Sequence, residues 1–354
     1  MPNQESTKEY EYIPSKSAQE FAQLQDTVVE ASPHLRGDQT TRKIMLWVII
    51  ALVPSFIGAG YYFGFRVWGL FFLAIATGQL CEILWFKLRN RTLTWDLSVV
   101  VTAMLLTMNL PPSAPWYFPV IGTAFAVIVV KEFFGGIGFN FINPALGGRA
   151  LLVALFFTEM FKISWPNPPF DRISPDIVTS ATPLAILKEG GLLSNQQLLD
   201  AFVGNIGGRL GETSSILILI GAAILLLKKI IHLRIPLTML GTIGLLAFIF
   251  GGNSLFSADY SVVIGHVIGG GAMFGAVFMA TDYSSTPSTR AGEYLFAAAC
   301  GILVMIFRFY GLTNEGVSYS ILIMNCLTPL IDYLLRNRVL GEPGNKFLNI
   351  KLNK

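Results

Sequence analysis

Long runs of apolar residues, separated by short polar stretches, dominate the chain from about residue 44 onwards. A helix needs roughly 20 apolar residues to cross the hydrocarbon core of a membrane. The runs that approach this length lie at 44–63, 67–86, 97–110, 117–134, 145–161, 214–227, 236–251, 262–280, 292–310 and 318–335. Several are short or interrupted by glycine or proline, as is typical of half-helices around a central site. The pattern predicts an all-α polytopic membrane protein with about ten transmembrane helices.

Composition agrees with this prediction and divides the chain into five parts. Of the 354 residues, 53% are hydrophobic and 13% are charged, far from the balance of a soluble domain. Residues 1–40 are polar and lack an apolar core, so we predict a cytoplasmic tail here and not a signal peptide. The predicted parts are the tail 1–40, a first membrane repeat 41–161, a loop 162–213, a second membrane repeat 214–335 and a polar tail 336–354.

Lysine and arginine are distributed unevenly between alternate loops, and this asymmetry predicts the orientation. Basic residues cluster in the loops on the side of the N-terminus, whereas the short loops on the other side hold only Arg66. Both termini are therefore predicted to be cytoplasmic, and the 162–213 loop extracytoplasmic. Each half has five runs, and an odd number forces opposite orientations, so the two halves are predicted to be inverted repeats.

The metal-binding residue types offer no redox centre. Cys81, Cys300 and Cys326 lie in apolar surroundings without a Cys-x-x-Cys pair, so we predict neither a disulfide nor an iron–sulfur ligand set. Only one histidine, His266, falls inside an apolar run, and one imidazole cannot ligate a haem from both sides. If this chain carries electrons, it requires an organic cofactor.

A polar, small-residue segment stands out within the long loop. Asp176, Thr179, Ser180, Ala181 and Thr182 precede Pro183 and a short apolar stretch. A threonine followed by proline is typical of a helix start, with Thr182 as the N-cap. The same position also suits a hydroxyl that carries an anionic group, because helix N-termini favour negative charge. The two interpretations are compatible.

Two further groups of residues lie on either side of the Thr182 segment. Arg149 follows Asn143-Pro144 in the first turns of a predicted span, where a charge is costly unless it faces a polar ligand or pairs with a carboxylate such as Glu132. Glu212 ends a glycine-rich stretch that begins at Gly204. No strand is predicted before that stretch, so it is not a nucleotide-binding loop. Glu212 and its neighbours are expected to cap the sixth span or to contact a cofactor.

Carboxylates inside apolar runs are candidates for cation or proton handling. Glu82 is flanked by leucine, cysteine and isoleucine, and Glu132 closes the fourth run. We predict that these two carboxylates belong to an ion pathway.

Taken together, the motifs resemble a known family. The resemblance covers about residues 32–338 and rests on sequence segments at 32–34, 42–45, 109–112, 131–136, 143–146, 179–184, 204–214 and 234–236. The chain resembles the D subunits of the Rnf complex, the ion-translocating ferredoxin:NAD oxidoreductase. That family is related to the B subunit of the sodium-pumping NADH:quinone reductase.

The resemblance implies a specific cofactor and fold. The segment Asp176–Thr182 is similar to the acceptor sequence on which a flavin transferase attaches FMN, with Thr182 forming the phosphoester and Ser180 standing where glycine or alanine is usual. Family membership implies a urea-transporter-like fold of two inverted five-helix repeats. It also implies a second, non-covalent riboflavin. Arg149 and Glu212 are taken as further cofactor-binding candidates.

The resemblance also implies partners and a location. The expected partners are the other Rnf subunits: membrane subunits, an FMN-bearing extracytoplasmic subunit, and iron–sulfur and NADH-binding subunits. The protein is expected in the bacterial inner membrane, with Thr182 facing outward and with no nucleic acid partner. It is expected to work as a subunit of an oxidoreductase and not to be catalytic alone. The competing interpretation is a stand-alone urea-type channel or transporter, for which the Thr182 segment has no evident use.

Overall fold

The computed structural model describes residues 40–90, 93, 95–162, 165–166, 182–212, 214–252, 259–311 and 316–335. The predicted tails lie outside these residues, apart from Thr40. The helices of the first half are α1 (Thr41–Phe63), α2 (Arg66–Leu88), α3 (Ser98–Met108), α4 (Tyr117–Phe125), which continues as the π-helix π1 (Ala126–Glu132), α5 (Pro144–Leu155) and α6 (Phe157–Met160).

Two short helices lie in the long loop, and the second half follows them. The loop helices are α7 (Pro183–Lys188) and α8 (Asn195–Val203). The helices of the second half are α9 (Ser215–Leu227), α10 (Arg234–Phe250), α11 (Tyr260–Ile268), α12 (Ala272–Phe274), which continues as the π-helix π2 (Gly275–Met279), α13 (Arg290–Tyr310) and α14 (Val317–Leu334). All these elements are helical, as predicted.

Several helices are suited to a membrane. Four of them, α1, α2, α13 and α14, are long and apolar enough to cross it, and the pair α11 and α12–π2 makes a fifth span with a 54° bend. Helices α3, α5, α9 and α10 are apolar but shorter. These findings confirm a helical integral membrane protein, while ten traverses and inverted repeats stay predictions.

Glycines allow neighbouring helices to approach each other closely, both between the two halves and within the second half. A methyl group on Gly221 in α9 would overlap the carbonyl oxygen of Ala51 in α1. On Gly301 in α13, it would lie 2.9 Å from the carbonyl oxygen of Met239 in α10. Small residues at such crossings bring backbones together where water provides no hydrophobic driving force.

Helix α3 and the segment α12–π2 are short pieces that begin in the same unusual way. Leu97 and Gly271, the residues before them, both have left-handed backbone conformations, with φ of 66° and 69°. Gly270 is also left-handed, with φ of 59°. The glycines at 269–271 therefore break the apolar run that the sequence shows as continuous from 262 to 280.

Contacts between helix ends define two ends of the bundle. At one, which we call the basic end, the Lys228 ammonium lies 4.3 Å from the Trp47 ring centroid and Arg234 pairs with Glu293 at 2.7 Å. At the other, which we call the loop end, the Tyr62 hydroxyl donates to the Val203 carbonyl at 2.8 Å. The loop helices α7 and α8 lie at the loop end, away from Lys228 and Arg234.

Candidate functional site

Thr182 is the N-cap of α7, as the Thr-Pro pair predicts. Its backbone is extended, with φ of −62° and ψ of 153°, and Pro183 occupies the first helical turn. The Thr182 side-chain oxygen accepts from the Ala185 amide at 3.3 Å, and the residue is half-buried. Asp176, Thr179, Ser180 and Ala181 lie outside the described residues. The structure thus places the hydroxyl at a defined helix start with part of its surface open.

Helix α7 is seated on glycines of α11 and of the break that follows it. Leu184 is buried against Gly269 and Gly270, where an added methyl group on Gly270 would overlap its Cδ1 atom. A methyl group on Gly265 would lie 2.8 Å from Cδ1 of Leu187. The Lys188 ammonium donates to the Gly311 carbonyl at 2.7 Å. Helix α7, and Thr182 at its start, are therefore fixed to the membrane helices.

Arg308, in the last turn of α13, holds the break from the other side. It is only 3% exposed, and its Nη2 atom donates to the Gly269 carbonyl at 2.8 Å. Its Nη1 atom donates to the carbonyl of His266. Positive charge at the C-terminal end of a helix such as α11 is favourable. Arg308 thus stabilises the backbone on which Leu184 rests, a role that was not predicted from the sequence.

The glycine-rich stretch joins α3 to the break. The Gly211 amide donates to the Met108 carbonyl at 2.8 Å, and Arg209 Nη1 donates to the Asn109 carbonyl at 3.0 Å. The Glu212 carboxylate lies against Gly271, where an added methyl group would overlap it. The stretch therefore caps the end of α3 and the start of α12. Ser214 is the N-cap of α9, one of the roles expected of this region.

Arg149 also converges on the end of α3. Its Nη1 atom donates to Oδ1 of Asn109 at 2.9 Å and to the hydroxyl of Ser318 in α14. The carboxylate of Glu132 lies instead 3.3 Å from the Lys131 ammonium. Asn109 therefore links Arg149, through its side chain, to Arg209 of the glycine-rich stretch, through its carbonyl. Its position before Leu110-Pro111 at a span end was the available signal.

Glu82 and Glu132 come together around a buried lysine. The Lys131 ammonium lies 2.8 Å from Oε1 of Glu82 and donates to the Ser98 hydroxyl at 2.7 Å. Lys131 is 3% exposed, and both carboxylates are buried as well. One positive charge therefore faces two carboxylates in the interior.

A cavity of about 100 Å³ adjoins this cluster. Its polar lining includes Ser98, Lys131, Asn140, Asn143 and Asp282, and its apolar lining includes Met45 and Leu225 from the basic end of α1 and α9. Burial raises the pKa of Asp282, while hydrogen bonds from Ser285 and Ser284 act in the opposite direction. The carboxylate cluster thus borders a polar cavity away from the Thr182 helix.

Residues that bind metals do not gather in the described part of the chain. No three His, Cys, Asp or Glu side chains come together there in a way that suits a metal ion. Cys81, Cys300 and Cys326 all carry free thiols.

Comparison with known proteins gives a consistent result. Residues 28–341 match the model of the NQR2, RnfD, RnfE family. The chain is 43% identical to the D subunit of the Na⁺-translocating ferredoxin:NAD⁺ oxidoreductase complex of Acetobacterium woodii, over 88% of this chain and 95% of that protein. It is 38% identical to the D subunit of the proton-translocating ferredoxin:NAD⁺ oxidoreductase complex of Clostridium ljungdahlii, over 86% and 93%. It is 36% identical to the D subunit of the ion-translocating oxidoreductase complex of Stutzerimonas stutzeri, over 85% and 92%.

Proposed function

The chain belongs to the NQR2, RnfD, RnfE family and is a subunit of an ion-translocating oxidoreductase complex, and from this premise we propose that it carries FMN on Thr182. The FMN phosphate forms a phosphoester with the threonine hydroxyl. The observation that carries the proposal is the position of this hydroxyl, half-buried at the start of a helix anchored to the membrane helices.

The residues at this position fit such a group. Among the described residues, the Thr182 oxygen accepts one long hydrogen bond, at 3.3 Å, and the residue is only half-buried, which supports access by a transferase. Helix α7 has only six residues, so its backbone dipole contributes little to holding a phosphate. When bound, FMN supplies the electron-transfer chemistry, while the protein supplies the tether, the orientation and the local charge.

Mass analysis of the peptide that contains residue 182 tests the attachment directly. The peptide from protein expressed with a flavin transferase is expected to carry the mass of FMN joined with loss of one water. Fragmentation is expected to place the added mass on Thr182. Unmodified peptide, or modification of another residue, would contradict the proposal.

The proposed topology has ten traverses in two inverted, urea-transporter-like repeats. In it, α3, α5 and α12–π2 are short segments near the centre of the membrane. The two left-handed starts, at Leu97 and Gly271, support the repeat relation between α3 and α12. The basic end is assigned to the cytoplasm of a bacterial inner membrane, and the loop end with Thr182 to the outside.

The proposed partners follow from the complex. They are the other membrane subunits, an FMN-bearing extracytoplasmic subunit, iron–sulfur and NADH-binding subunits, a flavin transferase during maturation and the surrounding lipid. A non-covalent riboflavin is proposed as a second cofactor. A stand-alone urea-type channel is disfavoured, because the relatives are named as oxidoreductase subunits.

We propose that the cluster of Lys131, Glu82 and Glu132 belongs to the ion pathway. One relative is named for Na⁺ and another for protons, so the proposed ion is one of these two. Buried carboxylates beside a polar cavity are suited to binding either cation. Changes in flavin charge would then bias a two-state rearrangement of the protein.

The coupling is tested with Glu82→Gln in the whole complex. Glutamine keeps the size of the side chain but removes the negative charge that faces Lys131. We expect ion transport per electron to fall at least several-fold while flavin attachment is retained. Transport into vesicles is measured together with electron flux. Normal pumping at unchanged electron flux would rule out this role for Glu82.

A further inference from the structure

A small cavity beside α7 brings two positive charges together next to the helix that begins at Thr182. The cavity, of about 50 Å³, is lined by Leu184, Leu187, Lys188, His266, Arg308 and Phe309. Lys188 is the last residue of α7, and Arg308 lies in the last turn of α13. The two charges therefore come from different parts of the chain and meet at the helix that Thr182 begins.

Hydrogen bonds to backbone carbonyls hold both charges in place. The Lys188 ammonium donates to Gly311, and the Arg308 guanidinium donates to His266 and Gly269. Arg308 is almost fully buried, whereas Lys188 is exposed. Charges that are fixed in advance act on a nearby reaction without paying for reorganisation when it occurs. Burial of Arg308 also reduces the screening of its charge by water.

Lys188 lies at a short, fixed separation from Thr182. Six residues of helix correspond to a rise of about 9 Å. Helix α7 is held by Leu184 on Gly270 and by Lys188 on Gly311, so this separation does not depend on a flexible linker. A group attached to Thr182 is therefore within the range over which a fixed unit charge is felt.

We propose that Lys188 and Arg308 raise the reduction potential of the flavin attached to Thr182. The inference rests on the proposed attachment of FMN. The oxidised flavin ring is neutral, and uptake of two electrons and one proton gives a ring with one negative charge. Fixed positive charges stabilise the reduced ring more than the oxidised one. Lys188 and Arg308 thus act as residues that set the potential, without taking part in bond formation.

The size of the effect follows from Coulomb's law. Lys188 is exposed, so an effective dielectric constant of about 30 is appropriate, and a unit charge at about 9 Å then changes the reduction equilibrium by about tenfold. For a two-electron couple, a tenfold change corresponds to about 30 mV. Both cations favour the reduced form, so removal of either is expected to lower the potential.

The test is a redox titration of the flavin-loaded, purified full chain, with dithionite as the reductant. Lys188→Gln keeps a hydrogen-bond donor for Gly311 but removes the charge, and we expect its reduction equilibrium to fall about tenfold. Lys188→Arg keeps the charge and is expected to titrate like the wild type. Lys228→Gln removes the same charge at the basic end and is also expected to leave the potential unchanged.

Arg308 is tested in the same titration. Arg308→Gln is expected to lower the potential, and Arg308→Lys is expected to stay closer to the wild type because the charge is retained. Since loss of Arg308 also removes support for the break, Lys188→Gln decides the matter if Arg308→Gln does not fold. A wild-type potential in Lys188→Gln would overturn the proposal.

Flavin fluorescence of each denatured variant separates failure of the attachment from failure of the charge effect. Absence of covalent flavin in the wild type would overturn the attachment and this inference together. Covalent flavin in all variants with one common potential would overturn the inference alone. A drop that is equal in Lys188→Gln and Lys228→Gln would also contradict it, because a general effect of net charge would then explain the shift.

Discussion

Replacement of Lys131 by methionine is expected to destabilise the protein by about 3–5 kcal/mol. The Lys131 ammonium lies 2.8 Å from Glu82 and 3.3 Å from Glu132, and both carboxylates are buried. Without the lysine, two negative charges remain close together in the interior with their principal positive neighbour removed. The expected result is a large decrease in the midpoint temperature of unfolding, measured on the purified chain in detergent.

Two control variants separate charge from packing. The double variant Lys131→Met with Glu82→Gln removes one positive and one negative charge, and we expect it to recover much of the lost stability. Arg234→Met breaks an ion pair with Glu293 whose side chains are 24% and 18% exposed. Because water screens that pair, a loss of about 1 kcal/mol or less is expected. Wild-type stability of Lys131→Met would show that the cluster is not held by these charges.

Substitution of Gly270 by valine is expected to displace α7 from the membrane helices. Gly270 has φ of 59°, and its position leaves no room for a side chain beside Leu184. A β-branched residue in the left-handed region costs about 1–3 kcal/mol, and overpacking adds about 1–3 kcal/mol. We expect faster amide hydrogen exchange in α7 and a large decrease in the amount of flavin bound at Thr182.

Matched variants make this prediction specific. Gly241 lies within helix α10, and a methyl group there would meet nothing within 4 Å. Gly241→Ala is therefore expected to leave exchange in α7 and flavin loading unchanged, and to stabilise α10 by about 0.5–1 kcal/mol. The double variant Leu184→Ala, Gly270→Ala removes the overlap but keeps the backbone strain at residue 270. Its exchange in α7 and its flavin loading are therefore expected to recover only partly from the values of the single variant Gly270→Ala. Normal exchange and loading in Gly270→Val would contradict the proposed seating of α7.

Local features of the structure could be predicted from the sequence because their causes are local. Apolar runs predicted the helices, Asn143-Pro144 predicted the start of α5, and Thr182-Pro183 predicted the start of α7. In each case a side-chain oxygen satisfies amides at the helix start, while proline fits the first turn. Such capping depends on residues that are neighbours in the chain.

Long-range pairing could not be predicted in this way. Lys131 bonds to Glu82, 49 positions earlier. Arg149 donates to Asn109 and Ser318, although the sequence suggested a pair with Glu132. The π-helix π1 ends at Glu132, and its wider turn changes the direction of the side chains relative to an α-helix. Apolar periodicity gives no signal for that change.

The break between α11 and α12 could be predicted only in part. Three consecutive glycines were visible in the sequence, but the run from 262 to 280 was otherwise continuous. Which partners meet at the break depends on the fold: Leu184 from α7, Glu212 from the glycine-rich stretch and Arg308 from α13. The Thr182 segment could be identified as a site from the sequence. The residues that hold it in place could not.

The most direct test of the central claim is ultraviolet fluorescence of the denatured protein on a gel. Wild type, Thr182→Ala and Ser194→Ala are each expressed with a flavin transferase. Ser194 is the N-cap of α8, so its replacement removes a comparable capping hydroxyl without touching the proposed attachment site. We predict flavin fluorescence in the wild type and in Ser194→Ala, and none in Thr182→Ala. Fluorescence that survives in Thr182→Ala, or its absence from the wild type, would contradict the attachment of FMN to Thr182.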